Sequence, residues 1–196
     1  MEQEREVRIK RKIRLKAKHD IGSPFTGKMK VRLKWSSDTD LDLCLFFKKK
    51  DGSIGGVFSN EYNNNIEDLG SYDKFPFMLH QGDVKNPTDT ESVEQINILK
   101  FDEIETAYVV VVNYEAAIKG RNVTYADENG YVEVVCEDGT AFEVLADSEV
   151  PGHVYLVCSI TNKDGQNYVK NESEVYSLNK AFSKIPGFEL IVEEDD

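Results

Sequence analysis

The sequence predicts an all-β protein, a two-sheet β-sandwich with a short C-terminal helix. Apolar residues recur at every second position in several short runs, the period of a half-buried strand. Turn chemistry separates the runs, as at Asp51-Gly52, Glu137-Asp138-Gly139 and Asn162-Lys163-Asp164-Gly165, and such residues favour hairpins. An extended helical pattern occurs only near the C-terminus. Many short strands followed by one helix are the habit of a sandwich with a terminal helix.

From the N-terminus, residues 5–18 alternate. Val7, Ile9, Ile13, Leu15 and Ala17 fall on one face, and Arg8, Lys10, Lys12, Arg14 and Lys16 on the other. This predicts a strand with a basic outer face, interrupted at Arg11 by a bulge or break. A Gly/Pro loop follows (DIGSPFTGK), then Val31, Leu33 and Trp35 alternate with Lys and Arg, with Trp35 in the core. Leu41–Phe47 is apolar on both faces, as an inner strand requires, and pairs as a hairpin with Ile54–Ser59. Asn60–Ser71 reads as a polar loop, Phe75–Leu79 as a short strand and His80–Ser92 as a long polar loop. Val93–Phe101 and Thr106–Tyr114 are strands, and two hairpins follow: Tyr131–Cys136 with Thr140–Leu145, and Val154–Thr161 with Gln166–Val169. Glu172–Lys184 carries the helical pattern, with Val175, Leu178, Ala181 and Phe182 on one side, and Pro186-Gly187 ends it. Residues 1–27 form a basic strand and loop packed on a main domain of residues 28–196.

With 196 residues, 40% hydrophobic and 31% charged, the chain is long enough for a substantial core and too apolar for a disordered one. No apolar run approaches the roughly 20 residues of a membrane helix. The charged N-terminus lacks the apolar stretch of a secretory signal, so a cytoplasmic location is expected. Cys44, Cys136 and Cys158 are far apart and each lies in an apolar run, the usual setting of reduced, buried cysteine. No Cys/His spacing suits structural zinc.

The net charge of −12 hides an asymmetry. Residues 1–34 hold 12 Lys/Arg against 4 Asp/Glu, and the remainder holds 12 against 32. The acidic body repels nucleic acid and attracts cations. The basic arm either grips an anionic partner or lies against the protein's own acidic surface; the second needs no partner and is preferred.

The stretch SSDTDLDLCLFF places Asp38, Asp40 and Asp42 at the mouth of a core strand. Carboxylates this close repel, and near an apolar interior they need a counterpart. Two further segments are rich in oxygen donors. Residues 80–94 offer Asp83, Asn86, Asp89, Glu91 and Glu94, and residues 60–73 offer Asn60, Glu61, Asp68 and Asp73 among others. Oxygen without surplus His or Cys suits a hard cation of the calcium type rather than zinc or copper. Ordinary solvated acidic loops are the alternative. An EF-hand is excluded: counting from Asp38, Leu43 stands at the glycine position and Lys49 at the glutamate position.

DTDLDLCLFF, VFSNEYN, HQGDVKNPTDTESVEQINIL and AYVVVVNYE, in this order over about residues 28–190, resemble successive motifs of the TerD family. These are tellurium-resistance and general-stress proteins of bacteria, calcium-binding β-sandwiches. The resemblance implies a cytoplasmic, non-catalytic module that binds Ca²⁺ and acts in a stress response. Asp40 and Asp42 match the D-L-D pair, and Gly82-Asp83 the G-D step. Asp89 and Glu91 lie in the acidic loop, Glu94 matches the glutamate before the next strand, and Asn60 the strand-end asparagine. These seven, Asp40, Asp42, Asn60, Asp83, Asp89, Glu91 and Glu94, are the candidate metal ligands. The acidic loop is sparser than the family pattern, with Val93 where an acid is expected, so one ion or two stays open. The basic N-terminal strand is not part of the pattern.

Other readings carry less. His19, His80 and His153 are scattered. His80 is three residues from Asp83, yet such a histidine more often bonds a carbonyl. No G-x-S-x-G, P-loop or H-E-x-x-H motif is present. A hydrolase with paired carboxylates would want stacking aromatics, and Trp35 is the only tryptophan. A calcium-dependent sandwich that binds anionic membranes would use the basic face of residues 8–18. A metal-free module would pair Val7–Ala17 with another chain at a sheet edge. Beyond calcium, no partner is named by the sequence, and nucleic acid is not expected.

Overall fold

Two sheets stack face to face in the computed structural model, which describes residues 7–83 and 91–192. The strands in chain order are β1 (Arg11–Arg14), β2 (Met29–Trp35), β3 (Asp42–Lys49), β4 (Ile54–Val57), β5 (Gly70–Ser71) and β6 (Met78–Asp83). They continue with β7 (Ser92–Ile98), β8 (Ile104–Val112), β9 (Gly130–Cys136), β10 (Thr140–Ala146), β11 (Val154–Lys163) and β12 (Gln166–Tyr176). The helices are α1 (Tyr114–Ile118) and α2 (Leu178–Lys184), with single 3₁₀ turns at Ile66–Leu69 and Phe188–Ile191. One sheet has the order β1-β10-β9-β2-β7-β6-β5 and the other β12-β11-β8-β3-β4. The all-β sandwich read from the sequence is the architecture observed.

Alternation builds the core between the sheets. Val31 and Leu33, Ile96 and Ile98, and Val132 and Val134 point inward from one sheet, and Leu43, Leu45, Phe47, Val109 and Val111 from the other; all are buried. The five-stranded sheet is buried on its second face too. Cys44, Phe46, Val110, Val112, Val154 and Leu156 pack there beneath Phe58, Ala181, Ile185, Phe188 and Ile191. Phe46 meets Phe188 edge-on at 5.4 Å between ring centroids. This second layer is why β3 and β8 are apolar at consecutive positions rather than alternate ones. Trp35 is buried as expected, and its indole N–H donates to the Thr39 carbonyl at 2.8 Å. The three cysteines are unpaired and buried.

The helix expected over Glu172–Lys184 begins only at Leu178. Glu174, Val175 and Tyr176 instead pair with Leu156, Tyr155 and Val154, because ladder bonds outweigh a helical spacing that three residues can barely express. Ser177 caps α2, its hydroxyl accepting from the Lys180 N–H. The strand expected to reach Tyr114 stops at Val112. There Asn113 caps α1 by accepting from the Ala116 N–H. The strand placed at Phe75–Leu79 starts at Met78 and runs on through Asp83, with a register shift between His80 and Asp83. Gly82 takes φ +68 there, where glycine carries no Cβ penalty. Among the described residues no helix is long and apolar enough to cross a membrane.

The N-terminal arm bridges both sheets. β1 lies parallel to β10 with Ile13 opposite Phe142 and Arg14 opposite Glu143. The paired strand is shorter than residues 5–18, and near its start Lys10 and Arg11 both donate to the Gly139 carbonyl, which breaks the alternation. The chain then crosses to β12, where Ile21 bridges Lys170 and Phe25 bridges Asn167. It therefore covers an edge strand of each sheet, and exposed edges invite aggregation. Leu15 and Phe25 are buried in the inter-sheet core, with Phe25 at 5.8 Å from Phe142. Arg14 bonds Glu143 at 2.6 Å and Lys18 pairs with Glu174, so at these two positions the arm does lie on the protein's own acidic groups.

Phe25→Ala should cost about 3 kcal/mol, the range for truncating a buried Phe. Urea unfolding would show it as a lower midpoint. A loss within error would mean that the arm does not contribute to the fold's stability.

Candidate metal centre

Asp42 opens β3, and the strand's pleat decides where the aspartates go. Leu41 and Leu43 are buried toward the inter-sheet core, so Asp40 and Asp42 turn the other way; Asp40 is exposed and Asp42 half-buried. Both line a cleft of ≈350 Å³ together with Ser59, Glu61, Tyr62, Tyr114 and Glu115. The Tyr62 hydroxyl donates to Asp42 Oδ2 at 2.7 Å, and the Tyr62 and Tyr114 rings meet edge-on at 5.0 Å. Glu115 is offset by Lys119 at 2.6 Å and Arg121 at 3.6 Å. Asp38 faces a different depression, beside Trp35, Ser37, Ser92 and Val93, which Asp40 also borders.

On the inner side, β4 last pairs with β3 at Leu45, opposite Val57. Two residues earlier, the buried Leu43 peptide is held by side chains from the other sheet. Its N–H donates to Glu94 Oε2 at 2.6 Å, and its carbonyl accepts from His80 Nε2 at 3.0 Å. His80 Nδ1 accepts from the Gly82 N–H at 2.9 Å. A ring that accepts at Nδ1 and donates at Nε2 is the neutral tautomer. Glu94 Oε2 lies 3.8 Å from His80 Nε2. Burial, then the Asp42 and Glu94 carboxylates, push the Cys44 thiol well up, so it stays protonated. Burial, then Cys44 and Asp42, likewise raise the Tyr62 phenol, which stays a donor to Asp42.

The expected ligands distribute unevenly. Asp40 and Asp42 share the cleft. Glu94 is buried, with one oxygen on the Leu43 peptide. Asn60 follows β4 in a turn, where its carbonyl accepts from the Asn65 N–H at 3.2 Å; its neighbours Ser59 and Glu61 line the cleft instead. Glu91 is exposed and accepts a long 3.5 Å bond from the Tyr131 hydroxyl. Asp83 ends β6 with its backbone opposite Glu94, but its side chain lies outside the described residues, as does Asp89 entirely. The cleft donors are all oxygen, the chemistry of a hard cation. Among the described residues, however, no group of three or more His, Cys, Asp or Glu is arranged to hold a metal ion. Sequence reading missed Tyr62 as the partner of Asp42. Its only signal was a lone aromatic inside the polar run NEYNNN.

Two measurements probe this geometry. Glu94→Ala should cost about 1–3 kcal/mol, since it leaves a buried N–H without an acceptor, whereas Glu94→Gln keeps an acceptor and should cost less in urea unfolding. Equal losses would show that the Leu43 bond is not what Glu94 contributes. Tyr131 titrates at about 12, raised by partial burial and then by Glu91. Its folded value lies above the usual ~10, so its stabilising contribution is intact below pH ~10 and lost as pH rises toward the folded value. Glu91→Gln should move the ultraviolet phenol transition of Tyr131 to lower pH.

A scan against protein-family models finds no match, and neither does a search of curated proteins. Among solved structures the chain is similar to a homologue of the telluride resistance protein TerD from Streptomyces coelicolor. The TM-score is 0.51 at 16% identity, over 78% of this chain and 92% of that one. A second structure, of a protein of unknown function, aligns with a TM-score of 0.48 at 10% identity, over 86% of this chain and 99% of that one. The likeness is one of fold: the chain is a β-sandwich similar in architecture to that TerD homologue.

Proposed function

We propose that the chain is a non-catalytic, calcium-binding module of TerD type that serves a bacterial stress response in the cytoplasm. The observation that carries the reading is the pair Asp40 and Asp42. The end of a strand buried on both faces delivers them into one cleft of a TerD-like fold, beside Ser59, Glu61, Tyr62, Tyr114, Glu115 and Ile118. A Ca²⁺ ion takes about 6–8 oxygen ligands. Asp40 and Asp42 would hold it from the strand end, with Asp83, Asp89, Glu91 and Glu94 drawn from residues 80–94 and an amide oxygen from Asn60. Bound calcium supplies charge neutralisation and ties the acidic segment to the strand, which presents a surface to partners. Catalysis has little support: His80, next to this region, has both ring nitrogens engaged by backbone groups.

Calorimetric titration of Ca²⁺ into metal-stripped protein, with Mg²⁺ as the control, tests the reading. Saturable binding that prefers Ca²⁺ is expected, with a rise in Tm that reflects a mass-action stabilisation of about 4 kcal/mol at 1,000 times the dissociation constant. Asp42→Ala and Asp83→Ala should each remove most of that rise. No heat and no thermal shift at millimolar Ca²⁺ would overturn the calcium reading.

A further inference from the structure

We infer that the outer edge of β1 is a docking edge for an extended acidic peptide segment of another protein. β1 is the terminal strand of the seven-stranded sheet, and no described strand lies beyond it. Leu15 donates to the Glu143 carbonyl, and Lys10 and Arg11 donate to the Gly139 carbonyl. Lys10 precedes β1; from Arg11 to Leu15 the odd-numbered residues turn their peptide groups toward β10. In a strand the next residues face the opposite way, so Lys12 and Arg14 turn their N–H and C=O groups to the open side. These are the groups that a peptide added as a further strand would pair with.

The side chains select what can add. Lys12, Arg14 and Lys16 alternate onto one face of the edge. Arg14 is engaged by Glu143. Lys12 and Lys16 are exposed, and neither has a carboxylate partner among the described residues. Lysines on an edge strand guard against aggregation, but they do so by charge. They repel a basic strand and desolvate poorly against an apolar one, while opposite charges across a strand pair attract. A second copy pairing β1 against β1 would set Lys12 and Arg14 against their own kind. The remaining surface, acidic from residue 35 onward, repels an acidic partner, so the arm is where such a partner finds attraction.

A fluorescein-labelled peptide of alternating glutamate and valine, titrated into the full-length protein by fluorescence anisotropy, is the probe. Saturable binding is expected, with amide exchange at Lys12 and Arg14 slowed in the complex. The same peptide N-methylated at alternate positions keeps its charge but loses its donors on one edge, and should bind about tenfold more weakly. The double variant Lys12→Glu, Lys16→Glu, checked for an unchanged Tm, should lose binding to a similar extent. Equal affinity for the N-methylated peptide, or unchanged exchange at Lys12 and Arg14, would overturn strand addition. Binding to phosphatidylserine vesicles without binding to the peptide would overturn it in favour of a membrane surface.

Discussion

The end of β3 depends on one exchange between the sheets. β4 gives out at Val57, and the Leu43 peptide beyond it is buried with β8 on one side but no strand on the other. A buried peptide group without a partner costs more than most single contacts contribute. Glu94 and His80, carried by β7 and β6 of the opposite sheet, take its N–H and its C=O. This polar link pins the two sheets to each other at the strand end that carries Asp40 and Asp42. The neutral tautomer of His80 follows from the same arrangement, because Gly82 occupies its other nitrogen.

A second polar row crosses the outer face of the seven-stranded sheet. Arg14 stands opposite Glu143, Glu143 opposite Glu133, Glu133 opposite Arg32, and Arg32 opposite Gln95. Glu133 is fully buried and its oxygens lack a hydrogen bond, but Lys34 lies at 3.2 Å and Arg32 at 3.5 Å. Arg32 also donates to Gln95 at 2.8 Å. A buried carboxylate is tolerable only with such partners. Arg32 and Lys34, from the basic first 34 residues, are thus committed to a buried carboxylate. Lys12 and Lys16 stand apart from this row.

Much of the fold was legible because its signals are local. Asp51-Gly52, Asp138-Gly139 and Asp164-Gly165 mark their hairpins without reference to anything distant. The two-faced apolarity of Leu41–Phe47 announces a strand with cover on both sides, although the identity of the cover was not readable. The end of β12 was misread because Val175 fits a helical stripe as well as it fits a strand, and only pairing with Tyr155 decides between them. The site was legible in part for the same reason. Asp40 and Asp42 are visible as a motif. The hold of Glu94 on Leu43 spans 51 residues and that of Tyr62 on Asp42 spans 20, and neither has a local pattern.

The crowding of carboxylates at the mouth of β3 resolves in stages. The bend at residues 37–39, ahead of β3, places Asp38 and Asp42 at different depressions, and the exposed Asp40 borders both. Water screens an exposed charge well, so Asp40 costs little. Asp42, the most enclosed of the three, receives the Tyr62 hydroxyl. The Leu43 peptide, which fixes the strand end, is satisfied by protein groups alone. The backbone geometry of this end therefore does not wait on a cation. An ion entering the cleft would meet a carboxylate pair already positioned at the end of a packed strand. A cation bound there would act as a ligand on a finished scaffold, not as a nucleus on which the fold is built.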